Sequence, residues 1–599
     1  MLQTFNITIT VKGPVLTRAT AAGAFGIDSP IARDHRDRPY LPGTHVLGKA
    51  RHALHHLLNA QQRASPAHAP IPRDALVWFG QLSSGDYGDQ QKGLGARRRI
   101  FCSDLVEATT ASVLGVATRT RTRIKKDDDF GAVEDGMLQV LEAPYAVGET
   151  VTFSGEIDFI GRADEIEAMR RAFEIALRWT TQFGGLRTIG FGRAERVSMA
   201  AQTDRQSVPV RRGTPERFAL ALKFRDPLTI GERRNNSNIY NTSDVVPGGA
   251  IKGALANLIR AGEGLAGGEA LKDSKSYPNL ARHFSVLRIT HLFPSPKLVP
   301  HRPAVWPKSL VAVGKKVLKD VALTSGSGTI DDMAPAFHVD WKNEFGVANA
   351  LVGWPKVPKT LIVRTSVEID ALSAKTGALY AQEHCEIDDH VWIGSVDLSQ
   401  VPEYARASVA DEFWNAISNG LPGVGRSQSN AQLVDVVEGQ REGAPWRMNP
   451  DGQIVLSLQT PALLRGPETG YAAAFTEMSK NTLRYIRHFA TERISGAEFM
   501  ANRYFDGRQY LPWLLTDAGG VFVLEPVGDV AKASDCIKRW LKHGLPIAKS
   551  LKDFYGLDMN ATDAALWDKC PYIAQNGYGE IAADMELHRR ADLRAVLDA

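Results

Sequence analysis

The sequence predicts an α+β protein built from tandem copies of one small unit, and three observations predict it. An alternating strand that ends at a proline occurs three times. A Pro-Gly turn opening a helix-spaced apolar run follows the first two copies. A long β-hairpin and then a glycine-rich loop close each of those copies. The strands are "FNITITVKGPVLT" with Pro14, "RFALALKFRDPLTI" with Pro227 and "QIVLSLQTPALL" with Pro461. Proline has no N–H to give a ladder, so it belongs at a strand's end.

The helices come next. "YLPGTHVLGKARHALHHLL" places Val46, Leu47, Ala50, Leu54 and Leu57 at helical spacing, and "VVPGGAIKGALANLI" does the same with Ile251, Leu255, Leu258 and Ile259. Residues 119–157 and 364–396 each read as strand, polar glycine-bearing tip and returning strand, a hairpin. Glycine-rich runs then follow at 184–197, at 420–434 and, in the third copy, at 575–581. Polar, Pro/Gly-rich stretches separate the copies. The expected organisation is a first domain at 1–202, a linker at 203–216, a second domain at 217–437, a linker at 438–452 and a third domain at 453–599. Insertions are expected near 62–96 and 296–346.

Composition sets the class. At 599 residues the chain is too long for one core. A 44% hydrophobic and 23% charged content is that of an ordinary globular protein. With 71 Lys and Arg against 67 Asp and Glu, the net charge is +4, so any nucleic-acid surface must come from local clustering. The four cysteines form no CxxC pair, and no zinc site or disulfide framework is expected. The start lacks a signal-peptide pattern and no apolar run is long enough to cross a bilayer. A cytoplasmic protein without membrane contact is the expectation.

These residues resemble the RAMP superfamily of CRISPR effector subunits, which are built on RRM-like, ferredoxin-like folds. The strand-Pro start, the Pro-Gly turn-helix and the "G-x-G-R" loops carry the resemblance. "GIDSPIARDHRDRPYLPGTHVLGKAR" is similar to the guide-RNA backbone subunits of type III systems. "DVVPGGAIKGALA", "LPGVGRSQS" and "PWLLTDAGGVFVLE" are similar to the cap-type subunit of subtype III-D. The chain therefore looks like a backbone unit fused to a cap unit.

The resemblance implies roles. Asp28 stands at the position of the target-RNA-cleaving aspartate, acting with Mg²⁺ or Mn²⁺. Lys49 and Arg51 would touch the guide backbone, although Leu47 replaces the family's lysine. The first hairpin would be a thumb that wedges into the guide–target duplex, its Arg119, Arg121 and Arg123 alternating along one strand face toward phosphates. Gly190, Gly192 and Arg193 of the first glycine loop, and Gly423, Gly425 and Arg426 of the second, would meet phosphates, as would Lys252. Partners would be crRNA, target RNA and other type III subunits.

Each residue also has an ordinary use. An Asp in a Gly-rich loop commonly makes an Asx-turn or cap, with Arg33 or Arg38 as its neutralising neighbour. Charged edge strands block aggregation. Glycines make tight turns, and Arg97, Arg98 and Arg99 read as solvated surface. His52, His55 and His56 read as polar-face histidines rather than metal ligands. The copy-two loop "GERRNNSNIYNTSD" has no matching Asp and is expected to be inactive. The leading expectation is a guide-RNA-binding subunit whose first domain cuts target RNA. Its rivals are a non-catalytic crRNA scaffold or cap and a precursor-crRNA-processing endoribonuclease.

Overall fold

The structure is a computed structural model. It describes residues 1–599 apart from 19–25, 35, 65–69, 81–96, 109–119, 128, 130, 203–207, 236–237, 266–270, 315–316, 324–340, 368–373, 436–445, 449–451, 497–510, 590–592 and 595–599.

Three separate antiparallel sheets repeat one topology. In the first unit, strand β1 (Leu2–Lys12) leads into helix α1 (Gly43–Ala64). A hairpin of β2 (Thr120–Lys126) and β3 (Val133–Glu142) follows. The chain then forms β4 (Thr150–Ile160), α2 (Ala163–Trp179) and β5 (Arg193–Ala201). β1 lies between β4 and β5, pairing Leu2 with Ile160 and Lys12 with Arg193 at its two edges. A short strand, Leu105–Glu107, extends the sheet beyond β4, which completes the ferredoxin-like strand order.

The second unit repeats this with β6 (Arg217–Phe224), the ribbon β7 (Ile230–Asn235) and β8 (Ile239–Ser243), and α3 (Gly248–Glu263). Its hairpin is β9 (Lys359–Val367) and β10 (Ala374–Cys385), followed by β11 (His390–Asp397), α4 (Glu403–Ile417) and β12 (Ser429–Leu433). β6 again sits at the centre, between β11 and β12. The third unit has β13 (Ile454–Leu458), α5 (Tyr471–Met478), β14 (Leu483–Phe489), β15 (Val521–Pro526), α6 (Val530–His543) and β16 (Ile581–Ala583). There β13 lies between β15 and β16.

The Pro-Gly signature has a steric cause. Each helix starts at the motif glycine, hard against a sheet strand. A Cβ on Gly43 would stand 2.3 Å from Cys102 O, and one on Gly248 1.9 Å from Ile289 O. Only glycine lets the helix end come that close. Val46, Leu47, Ala50 and Leu54 are buried as the spacing predicts, as are Ile251, Leu255, Leu258 and Ile259.

One expectation about the hairpins is corrected. The span 119–157 is not a single hairpin: β2 pairs with β3, while the next strand, β4, returns to the central sheet. The second copy behaves identically, with β9 paired to β10 and β11 in the core. The turn at Ala146–Glu149 separates hairpin from core, and Gly13 N donates to Glu149 O there.

The units share buried contacts. Phe101 and Ile160 of the first unit lie inside the hydrophobic core of the second. Around them, Arg225 bonds Asp158 at 2.7 Å and Glu156 at 3.0 Å, while Asn430 and Thr4 also donate to Asp158. Between the second and third units, Arg302 holds Glu580 with two bonds of 2.8 Å. Among the described residues no helix is long and apolar enough to cross a membrane.

Candidate nucleic-acid interface

The segment bearing Asp28 runs along the root of the first hairpin. Asp28 N and Ser29 N both donate to Val140 O, and Ser29 pairs with Leu141 like a short parallel strand. The Asp28 carboxylate accepts from Val140 N–H at 2.6 Å through Oδ2. The residue is exposed, and its Oδ1 accepts no bond among the described residues. Neither arginine in its loop neutralises it. Arg33 bonds the buried Glu142 at 2.6 Å, and Arg38 bonds Asp34. Arg36 reaches into the second unit, bonding Asp388 at 2.9 Å. The Asp28 segment is thus held to the hairpin on one side and to the second unit on the other.

The hairpin has two unlike faces. Residues directly opposite in register share a face. Arg121 faces Leu141 and Arg123 faces Gln139, whose amide donates to Ser29 Oγ, so the arginines line the Ser29 side. On the other face Ile124 opposes Leu138, and these are 48% and 59% exposed. Lys125 pairs with Glu134. Arg119 lies outside the described residues. The cationic stripe was legible by alternation; the bare apolar pair was not singled out, although the same alternation contains it.

A second cationic group forms where α1 meets the first glycine loop. Lys49 is half-buried, and burial followed by Arg187 lowers its ammonium to about 8. His45 is held neutral, down to about 4, by burial and then by Lys49 and Arg187. Its Nε2 accepts from Gly184 N–H at 3.0 Å, which anchors the loop to the helix. His52 is lowered by burial, then by His56 and by the same cations. Arg187 lies inside the glycine-rich run 184–197 but was not singled out, because only the cation of its "G-x-G-R" end was read.

The glycines of that loop serve its shape. Gly192 has φ 64°, and a Cβ there would stand 1.8 Å from Phe183 O. Its N–H donates to Pro14 O, and Gly190 N–H donates to Arg187 O. A phosphate at this loop would therefore meet the exposed Arg187 and Arg193 side chains rather than those two N–H groups. In the second unit, a Cβ on Gly425 would stand 2.5 Å from Thr229 O, and one on Gly423 would touch the Phe101 ring of the first unit.

Lys252 is corrected. It is 6% exposed, its ammonium donates to Leu287 O at 2.8 Å and sits over the Phe284 ring, and burial lowers it to about 7. A cation sealed there cannot meet RNA. Arg426 is exposed, its guanidinium carbon 3.8 Å above the Tyr240 ring. Arg51 is exposed on α1. Arg98 is lowered by burial and then by the charge of Arg364 in the second unit. The arginine run 97–99 is accordingly not plain surface: Arg99 also bonds Glu165 and Ile160 O.

The chemistry of the donor set limits a metal. Among the described residues no three His, Cys, Asp or Glu side chains converge on one point. Mg²⁺ keeps several waters and takes one or two carboxylates plus substrate phosphate oxygens. The outward Oδ1 of Asp28 fits as one such ligand, shared with a phosphodiester.

Comparison with known proteins follows from this geometry. The family model described as the RAMP superfamily matches residues 8–195, the first sheet with its hairpin and glycine loop. The match lies within the first unit. Among solved structures, a chain of the type III-B Cmr-beta complex bound to cognate target RNA aligns with 16% identity and a TM-score of 0.23. That alignment covers 33% of this chain and 61% of the other. A chain of the same complex bound to cognate target RNA and AMPPnP, state 1, aligns at 10% identity and TM-score 0.27 over 51% of this chain and 86% of the other. No curated protein matches the chain.

Proposed function

We propose that the chain is a guide-RNA-holding subunit of a type III CRISPR effector and that its first unit cuts target RNA paired to the guide. The observation that carries this is Asp28: an exposed carboxylate, fixed by one oxygen to the root of a cationic hairpin inside the segment matching the RAMP superfamily. Partners on this reading are crRNA, target RNA and neighbouring effector subunits. Base pairing would supply specificity while the protein holds backbone and shape.

The cut would proceed by attack of a 2′-oxygen on the adjoining phosphorus. Asp28 takes the 2′-OH proton as the O2′–P bond forms and the P–O5′ bond breaks, and the departing 5′-oxygen takes a proton from water. A divalent cation, with Asp28 among the groups that would hold it, would supply charge neutralisation at the phosphate. The apolar face of Ile124 and Leu138 gives the hairpin a surface on which bases can rest, holding the backbone in the reactive geometry.

Asp28→Asn separates catalysis from anchoring. The amide oxygen still accepts from Val140 N–H, but the charge is gone. We expect cleavage of guide-complementary RNA to fall about 10²-fold or more with unchanged thermal stability. Undiminished cleavage would leave the non-catalytic scaffold as the correct reading.

A further inference from the structure

We propose that the second unit carries a stacking platform for one unpaired nucleobase of single-stranded RNA, built from Arg426, Tyr240 and Tyr380, with Arg364 placed to take the adjoining phosphate. This rests on the RNA-holding reading above and adds a place where the strand is gripped through a base rather than its backbone.

The platform is assembled from four separate stretches of chain. β8 runs parallel to β10, with Tyr240 opposite Gln382. The Tyr240 and Tyr380 rings meet edge to face, centroids 5.9 Å apart at 89°. Arg426, arriving from the second glycine loop, lies with its guanidinium carbon 3.8 Å over Tyr240. Its backbone is fixed by the Arg426 N–H bond to Thr229 O at 2.8 Å. Arg364 stands directly opposite Tyr380 in the antiparallel register of β9 and β10, hence on the same face.

Their state points to a ligand. Arg426 is exposed while its guanidinium carbon lies 3.8 Å from the Tyr240 centroid, so a cation–ring pair is accessible from solvent. Guanidinium planes and tyrosine rings are the surfaces on which single-stranded bases stack. Neither Arg364 nor Arg426 forms an ion pair with a carboxylate among the described residues. Arg364 is half-buried and lies near Arg98 of the first unit, which in turn lies near Arg51. Arg364 also acts on the buried Asp104 of the first unit, so a phosphate reaching the platform would share that guanidinium with a carboxyl.

The test uses the full-length chain and a set of single-stranded RNAs in which one 2-aminopurine walks along the strand. Stacking quenches its fluorescence. In the wild type one position should be quenched on binding. Arg426→Lys keeps the charge but loses the plane, and should abolish that quench while weakening affinity about tenfold or less. An abasic substitution at the quenched position should weaken the wild type about tenfold and leave Arg426→Lys unaffected. Circular dichroism of the variant should match the wild type, since Arg426 is a surface side chain. RNA that binds with no quenched position, or a quench that survives Arg426→Lys, overturns the platform and leaves the RNA-holding reading intact. RNA that does not bind at all overturns both.

Discussion

Lys49 sits at the edge of neutrality, and this gives it a measurable signature. Burial and Arg187 lower its ammonium to about 8 from an ordinary value near 10.5. The folded protein therefore holds fewer protons than the unfolded chain between those values, so Lys49's contribution to stability rises with pH through that window and is most unfavourable below it. A phosphate beside Lys49 favours the charged form, so RNA binding should be coupled to proton uptake above pH 8. RNA affinity measured from pH 7 to pH 9.5 should fall, and Lys49→Arg should flatten the profile while preserving affinity at pH 7. A profile identical in both proteins would remove Lys49 from the RNA path. Asp28, Lys49 and Arg51 were named through a resembled motif, because a lone loop acid or a helix cation leaves no distinctive pattern of its own. Lys252 was misread because it lies at the edge of the α3 apolar face, three residues before Leu255, and its long stem turns inward. Tyr240 leaves no local signal: it reaches Tyr380 and Arg364, which face each other across one hairpin, through a pairing between strands more than a hundred residues apart.

At the scale of elements, the Pro-Gly turn is the feature the sequence disclosed best, since a helix end pressed on a strand demands the same residue each time. Gly43→Ala should cost about 1–3 kcal/mol, because a methyl would meet Cys102 O and Ser103 O at 2.3 and 2.4 Å and the helix must shift. Gly48, five residues on in the same helix, has nothing within 4 Å of its added Cβ. Gly48→Ala should stabilise by about 0.5–1 kcal/mol through helix propensity. Thermal or denaturant unfolding of the two variants checks both signs at once. The hairpin limits were read less well. β2 and β3 are exposed on both faces for much of their length, so no burial marks where hairpin ends and core strand begins.

Over the whole molecule, three copies were visible as repeated beginnings, but the way they lock together was not. Arg225 and Asp158 are 67 residues apart and carry no motif, yet they form the centre of the junction. Asp158 is fully buried, and Asp158→Ala would leave the Arg225 guanidinium with only Glu156 and Asp226 as carboxylate partners and Asn430 without its acceptor. The expected loss is about 1–3 kcal/mol. It should appear as an earlier melting of the first two units together, read by calorimetry, because Phe101 and Ile160 belong to both sides. A loss confined to the first unit would mean that the two fold independently.

The bond from Arg36 to Asp388, added to that buried junction, has a further consequence. Two projecting fingers, β2–β3 and β9–β10, issue from bodies that neither slide nor separate freely. In an assembly of separate copies, the interval between successive fingers is set by how the copies dock and can vary with their supply. Here translation itself writes the first interval, one finger of each kind per molecule, and any polymer laid across both would be measured against a gauge of fixed length.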